Sequence, residues 1–367
     1  MATAVTLLVG GLGLWSVAGA YWSPGNESFS AKWADWMRPH GAASVVDSFE
    51  SYYYTAHQPD KGGAPKALNS EVQAGPRTMT TGRLDAQLSP PPPIPLVVSP
   101  ALAGEGQWQP IGPGVGGRST MYEAQFRADD IYTSEITTAV WMDPGRLRIQ
   151  LVPGSTEPGR TWSHPPYILP ADLPDVVAAF NGGFRFQDAR GGIYLDGRTA
   201  KPLVDGAASM VIYRNGRIDV GTWGSEVAMT PDVVSVLQNL VPMVDHGQIS
   251  ASAKYDDRRV WGYTLDTKIV VARSGLGITK DGALIYVAGP ALTARTLAES
   301  LARAGAVRAM TLDLNPEWVT FNLYSHPVAT SPMQVVGSKL YPQMQRPADR
   351  YLPPTRESRD FFQVSLG

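Results

Sequence analysis

Thirty-seven glycines and thirty-one prolines are spread through 367 residues, close to one position in five, where an average chain has about 12%. Glycine costs a helix interior about 1 kcal/mol and proline about 3. A chain interrupted this often cannot be a helical bundle or a coiled coil, and must be assembled from short strands and many turns. The turns stand out as Asp196-Gly197, as Asn215-Gly216 within VIYRNGRIDVGTW, and as Asp281-Gly282 within GITKDGALIYVAG. Each reads as a β-hairpin, and Asn-Gly predicts a two-residue type I′ turn with positive φ at both central positions. Met121–Phe126, Ser134–Met142 and Arg146–Val152 are further β-type runs, separated by breakers such as Asp143-Pro144-Gly145. Helices are few. Thr230-Pro231 opens one, with Val233, Val234, Leu237 and Val241 on a stripe. A second runs from the capping box Thr296-x-x-Glu299 to Gly305, with Leu297, Leu301 and Ala304 inward, and is followed by the apolar strand AVRAMTLDLN. The expected fold is α+β: an antiparallel-rich mixed sheet with hairpins and a few flanking helices, preceded by a hydrophobic N-terminal segment.

The length suits one large domain or two ordinary ones, because single cores stop growing near ~250–300 residues. The 31 basic and 33 acidic side chains nearly cancel, so no field draws in nucleic acid. Without cysteine, disulfides, thiolate catalysis, zinc ribbons and iron–sulfur clusters are excluded. The first charged side chain is Glu27, and the apolar run through Trp22 is about the length that spans a bilayer. Two readings stay open for residues 1–22. One is a membrane anchor with Trp15, Tyr21 and Trp22 at the interface; the other is a signal peptide cleaved near Ala18-Gly19-Ala20. Both place the protein outside the cytoplasm, membrane-anchored or secreted, and neither has the usual basic start.

Residues 23–106 read as a helical stalk and a proline-rich linker. Ser30 caps a turn carrying Trp33, Trp36 and Met37, and a second stripe of Val45, Phe49, Tyr52 and Tyr53 follows; these helices are expected to pack on the body, with docking on a membrane surface as the alternative. Pro90–Pro93 with Pro95 favours polyproline II and a semi-rigid spacer. A β region over 107–169 and a main domain over 170–345 follow. A tail over 346–367 folds back through Phe361 and Phe362.

No nucleophile elbow, P-loop, HExxH or EF-hand loop is present, and no two of the five histidines have metal-ligand spacing. His246, in Val244-Asp245-His246-Gly247, reads as a polar turn residue. Three segments carry the candidate chemistry. In AAFNGGFRFQDARGG a strand leads into Asn181, whose amide suits a pair of sugar hydroxyls. Gly182 and Gly183 then let the backbone approach a ligand, with Arg185 and Asp188 close behind. In VARSGLGITKDG, Arg273 sits at a strand end before Gly275 and Gly277, a place that often faces a pocket. In MTLDLNPEW, alternation turns Leu312 and Leu314 to the core and Asp313 and Asn315 the other way. A carboxylate at the end of an apolar strand is costly to bury unless paired or used.

These segments resemble the phosphodiester glycosidase family, whose pattern is an NGGFF loop, hairpins, an arginine before Gly-Ile, a helix, and a strand ending in an LDGGGSS-like motif. Asn181-Gly182-Gly183-Phe184, Arg273 with Gly277-Ile278, and Leu312-Asp313 match over roughly residues 170–345, and the N-terminal part is similar to that of exported actinobacterial members. Two positions depart: Arg185 replaces the second phenylalanine, and Leu314-Asn315-Pro316 replaces the glycines after the aspartate. The resemblance implies a hydrolase acting on a sugar-1-phosphodiester or a related envelope glycan linkage. Arg273 and Arg185 would hold phosphate, Asp313 would serve the sugar or an activated water, Asp188 would be the second carboxylate, and Asn315 would line the substrate site. No cofactor is implied. A hard cation such as calcium on Asp313 and Asn315 oxygens stays open, although the sequence does not show the six or more oxygen ligands it wants. The competing reading is a non-catalytic, membrane-tethered glycan-binding or cell-envelope scaffold protein. Convergence of Asp313, Asp188 and Arg273 in one open cleft would favour the enzyme, and a buried, paired Asp313 the scaffold.

Overall fold

A computed structural model describes residues 13–23, 27–65, 68, 78–79, 88–89, 91–115, 118–159, 162–261, 270–328 and 330–367. Most of the hydrophobic start (residues 1–12) and Pro90 lie outside the described residues. Three helices come first: α1 (13–21), α2 (Phe29–Met37) and α3 (Ala43–Ala56). Strands follow as β1 (Met121–Phe126), β2 (Thr137–Met142), β3 (Leu147–Val152) and β4 (Val176–Asn181). After the single turn α4 (Phe186–Ala189) come β5 (Ile193–Leu195), β6 (Arg198–Lys201), β7 (Ala208–Tyr213), β8 (Ile218–Thr222) and β9 (Val233–Gln238). Next are β10 (Val244–Asp245), β11 (Gln248–Ile249), the short helices α5 (Ala251–Lys254) and α6 (Arg258–Trp261), β12 (Val271–Thr279) and β13 (Leu284–Leu292). Helix α7 (Ala294–Arg303), β14 (Ala306–Leu314), β15 (Phe321–Ser325), β16 (Val336–Lys339) and β17 (Phe361–Leu366) complete the chain.

The expected α+β class with antiparallel pairing holds. One sheet runs β11-β10-β14-β12-β13-β2-β1 with Gln109–Pro110 at its edge, a second β6-β5-β9-β7-β8, and a third β16-β15-β4-β17-β3. All three meet on one apolar core that includes Met142, Ile149, Phe180, Met210, Leu276, Tyr286, Leu312 and Phe321. The other face of the large sheet carries α7, where Phe126, Trp141, Ile285 and Val287 meet Leu297 and Leu301. Strand β13 serves both cores by simple alternation: Leu284 and Tyr286 point one way, Ile285 and Val287 the other. Burial on both faces explains why these strands read as unbroken apolar runs.

Several sequence expectations change here. The segment after Thr230-Pro231 is not a helix but strand β9, paired with both β5 and β7. Its valines fit a helical stripe by spacing, yet β-branched side chains pack better on a pleated surface with a ladder on either side. Helix α7 starts three residues early: Thr293 is the cap, and the Thr296 hydroxyl reaches back to the Thr293 N–H. Gly305, at φ 103°, ends it as expected. Asp196-Gly197 is the type I′ turn, positive at both residues; Asn215-Gly216 and Asp281-Gly282 are positive only at glycine, making three-residue connections with a bulge. Ser28, not Ser30, caps α2. The proline run is not a free spacer, because Ile94 is buried and its N–H donates to the Gly106 carbonyl. Gly275 and Gly277 face no pocket; an added Cβ would lie 2.9 Å from Leu301 Cδ1 and 2.6 Å from Ala306 Cβ respectively.

The C-terminal tail does more than fold back. Strand β17 lies between β4 and β3, so residues 346–367 and the 107–169 region share a sheet with the main domain. Phe362 stacks on Phe180 at 5.1 Å, which stacks on Phe321 at 5.6 Å. Behind it, Glu317–Arg346 (2.7 Å) and Arg350–Glu357 (2.6 Å) are buried ion pairs, and Glu317 also accepts the Ser28 N–H. No described helix is long and apolar enough to cross a membrane. Phe362→Ala removes the tail's ring from this stack and should cost about 3–5 kcal/mol; a urea unfolding curve measures it, and a cost under about 1 kcal/mol would show that the tail strand is dispensable.

Candidate active site

The NGG sequence begins where β4 runs out. Asn181 is fully committed inside the protein: its Nδ2 donates to the Gly182 carbonyl (2.8 Å) and to Ser274 Oγ (3.0 Å). Its Oδ1 accepts from the Thr320 N–H (3.1 Å) and the Tyr286 hydroxyl (3.0 Å). The amide therefore fastens β4, β12, β13 and the chain entering β15 together, and has no capacity left for the sugar hydroxyls expected of it. Gly182 answers to packing as well. A Cβ there would sit 1.8 Å from Asp360 Oδ2, so the glycine admits strand β17 rather than a ligand.

Beyond that turn lies a cleft of about 380 Å³, whose lining includes Arg185, Asp188, Asp313, Asn315, Trp318 and Arg359. Asp313, one residue from the end of β14, is buried, and its Oδ2 lies 2.8 Å from Arg359 Nη2. Its Oδ1 accepts the Leu314 N–H at 2.8 Å. Arg359 also donates to the Gly183 carbonyl (2.7 Å) and lies over the Trp318 ring at 4.4 Å. Asn315 leaves the extended strand at φ 86°, with its N–H on the Ala272 carbonyl (2.8 Å) and its Oδ1 accepting the Glu317 N–H (3.0 Å). Asparagine tolerates this left-handed conformation better than most residues. The backbone after Asp313 thus turns as a glycine would let it, despite the departure from the family's glycine pattern.

Arg273 is elsewhere. It is buried on β12 with Nε donating to the Leu292 carbonyl (3.0 Å), and it is absent from the described lining of the cleft. Burial pushes its pKa down to about 10 against the pull of Asp256. The second arginine of the cleft is instead Arg359. Asp188 lines the rim, with its carboxylate 3.9 Å from Arg185 Nε. His246 is an exposed residue at φ 47° in the β10–β11 turn. Among the described residues, the acidic and histidine side chains close enough to share a metal ion are Glu226, Asp245 and His246, none of which lines the cleft.

Electrostatics separates the carboxyls. Burial pushes Asp313 up to about 7, against Arg359, the Leu314 N–H and Arg185. Asp360, buried beside Gly182, is likewise pushed up to about 7 by burial, against Arg359 and with Glu157 adding to the rise. Glu157, which accepts the Phe186 N–H at 2.9 Å, is raised for the same first reason. Burial works against the Arg359 charge, but Asp313, Glu157, Asp35 and Asp360 outweigh it and raise its pKa. The two partners differ because Arg359 is shared by several carboxyls, while Asp313 has one cation in contact.

One side of the cleft is closed by the N-terminal helices. Asp35 of α2 lies 2.6 Å from Arg185 Nη1, and Ala31, Ala34, Arg38, Asp47 and Glu50 complete that wall. Sequence reasoning missed Arg359, Trp318 and Asp35. For Arg359 a signal existed: Arg359-Asp360 abuts the apolar strand FFQVSL, as Asp313 does the strand MTL.

Residues 174–313 match the phosphodiester glycosidase family. No curated protein matches the chain. Among solved structures, it is similar to the catalytic domain of zebrafish N-acetylglucosamine-1-phosphodiester alpha-N-acetylglucosaminidase, which is auto-inhibited by its pro-peptide. The identity is 15% and the TM-score 0.42, over 71% of this chain and 87% of that one. A hypothetical protein from Synechocystis shares 10% identity and a TM-score of 0.35, over 71% of this chain and 64% of that one.

A protonated Asp313 fits the folded protein better than an ionised one, and in the unfolded chain its pKa returns to ~3.9. Its share of stability is present at acid pH and is lost as pH rises from about 4 through about 7. Relative to Asp313→Asn, the wild type should therefore lose stability between pH 5 and about 7 and then level off. Parallel urea midpoints test this, and parallel curves for the two proteins would contradict the raised pKa.

Proposed function

We propose that the protein hydrolyses a sugar-1-phosphodiester or a related envelope glycan linkage. The observation that carries this reading is a cleft lined by one buried carboxyl, Asp313, and two guanidiniums, Arg359 in contact with it and Arg185 on the same wall as Asp35. A phosphodiester suits the paired guanidiniums, which bind its oxygens as forks. Water adds at the anomeric carbon, the bond from that carbon to the phosphate oxygen breaks, and the phosphomonoester departs with the electron pair. Asp313 takes the proton of the attacking water, which requires its ionised form. Cleavage at an anomeric carbon passes through an oxocarbenium-like state, which a nearby carboxylate stabilises; Asp188 at the rim is the second carboxylate. The uncharged N-terminal run supports a place outside the cytoplasm, in or near the cell envelope.

A glycan-binding scaffold is the second reading, favoured by the burial of Asp313 and its pairing with Arg359, by the place of Arg273 outside the cleft, and by Asp35 sitting on Arg185. The two separate on turnover. Sugar release from a panel of sugar-1-phosphodiesters should fall about a hundredfold or more in Asp313→Asn. The wild-type kcat/KM should rise with pH through about 7, as a base with that pKa requires. No release by the well-folded wild-type chain across the panel would leave the scaffold as the better account.

Asp35 supplies a carboxylate where a phosphate oxygen would bind, so α2 competes with substrate. Asp35→Ala should lower KM by about tenfold, the worth of one partly exposed charged hydrogen bond. An unchanged KM would mean that α2 is no obstacle to the ligand.

A further inference from the structure

The three N-terminal helices are built inside out. On α1, Leu14, Val17 and Tyr21 recur at helical spacing and are all exposed, with Trp22 beyond them 81% exposed. On α3, Val45, Phe49 and Tyr52 form one stripe, with Phe49 67% and Tyr52 68% exposed, and Tyr53 is exposed beside them. Phe29 and Trp33 of α2 are exposed as well. This corrects the expectation that the α3 stripe packs on the body. The charged side chains point the other way. Asp35, Arg38, Asp47 and Glu50 line the candidate cleft, where Arg38 pairs with Glu50 at 2.7 Å, and Glu27 and Lys32 line the cavity beside it. A helix in water turns these faces around.

We infer that the outward face of α1, α2 and α3 rests on the headgroup layer of a zwitterionic lipid membrane, lying on it rather than crossing it. Tryptophan and tyrosine combine an apolar ring with a polar tip, which suits that layer. Residues 1–12, which precede α1 in the sequence, carry no charged side chain. Residues 1–56 hold two basic and four acidic side chains, so attraction to anionic lipid plays no part and apolar burial supplies the affinity. The same excess of acid disfavours pairing with a second copy through this region.

Flotation of the full-length chain with phosphatidylcholine vesicles tests the inference. The wild type should float with them equally at low and high salt. Phe49→Ser/Tyr52→Ser, and separately Leu14→Ser/Trp22→Ser, should lower the partition coefficient by about tenfold or more while leaving the melting temperature unchanged. All four side chains are exposed, so both variants keep the fold. Wild-type protein that stays unbound overturns the inference, as does binding confined to anionic vesicles and lost in salt. Double variants that float like the wild type overturn it by assigning binding to other residues. A wild type that self-associates without vesicles, beside monomeric variants, overturns it in favour of a second copy on this face.

Discussion

The contact between Asp313 and Arg359 joins two ends of the structure that the sequence keeps far apart. Asp313 closes strand β14, and Arg359 precedes β17, which inserts between β4 and β3. Taking a carboxylate out of water at this depth is costly, and one guanidinium only partly offsets it. Everything nearby serves that compromise. Gly182 stays small so that the Asp360 strand can approach, Asn181 fastens three strands beneath, and Trp318 lies against the guanidinium. Without the tail, Asp313 would be a buried, unpaired charge, so the last strand of the chain is a condition for the candidate site and not an appendage to it.

A consequence concerns pH. Burial raises Asp313 to about 7, so the ionised form needed for a base is the form the folded state accommodates less well. The proposed activity and the stability of the fold then run in opposite directions over the same interval. Sites that hold strained or poorly solvated groups show this opposition generally. Here it has a structural cause, because the cation that steadies Asp313 is divided among Glu157, Asp35 and Asp360 as well.

Much of the framework was legible because local chemistry and global fold agree. Glycine and proline placement gave the turns, and unbroken apolar runs gave the strands buried on both faces. Asp313 stood out as a carboxylate ending such a run. Legibility failed where a signal had two physical solutions. The valines of β9 match a helical stripe and a buried strand equally by spacing, and only the neighbouring strands decide. Asn181 and Arg273 carry the residue types of a binding site, yet hydrogen bonds and burial from distant segments commit both to the interior. Arg359 was hidden for the opposite reason. Nothing in its own stretch of chain says which carboxylate it meets, since that partner lies 46 positions away.

The N-terminal helices tie these observations together. Amphipathic periodicity correctly marks the faces of α3 but cannot say which face is turned to the body. The answer comes from the charges: Asp35 of α2 pairs with Arg185 at the cleft, and Asp47 and Glu50 of α3 pair with Arg38 of α2 on the same side. Once that side is committed, the aromatic stripes have nowhere to go but outward. The exposed apolar surface is thus a direct result of how the cleft is charged. Any ligand anionic enough to displace Asp35 would free the charged faces of these helices while leaving their aromatic faces unchanged. Release of the cleft is therefore compatible with the same outward surface remaining in place.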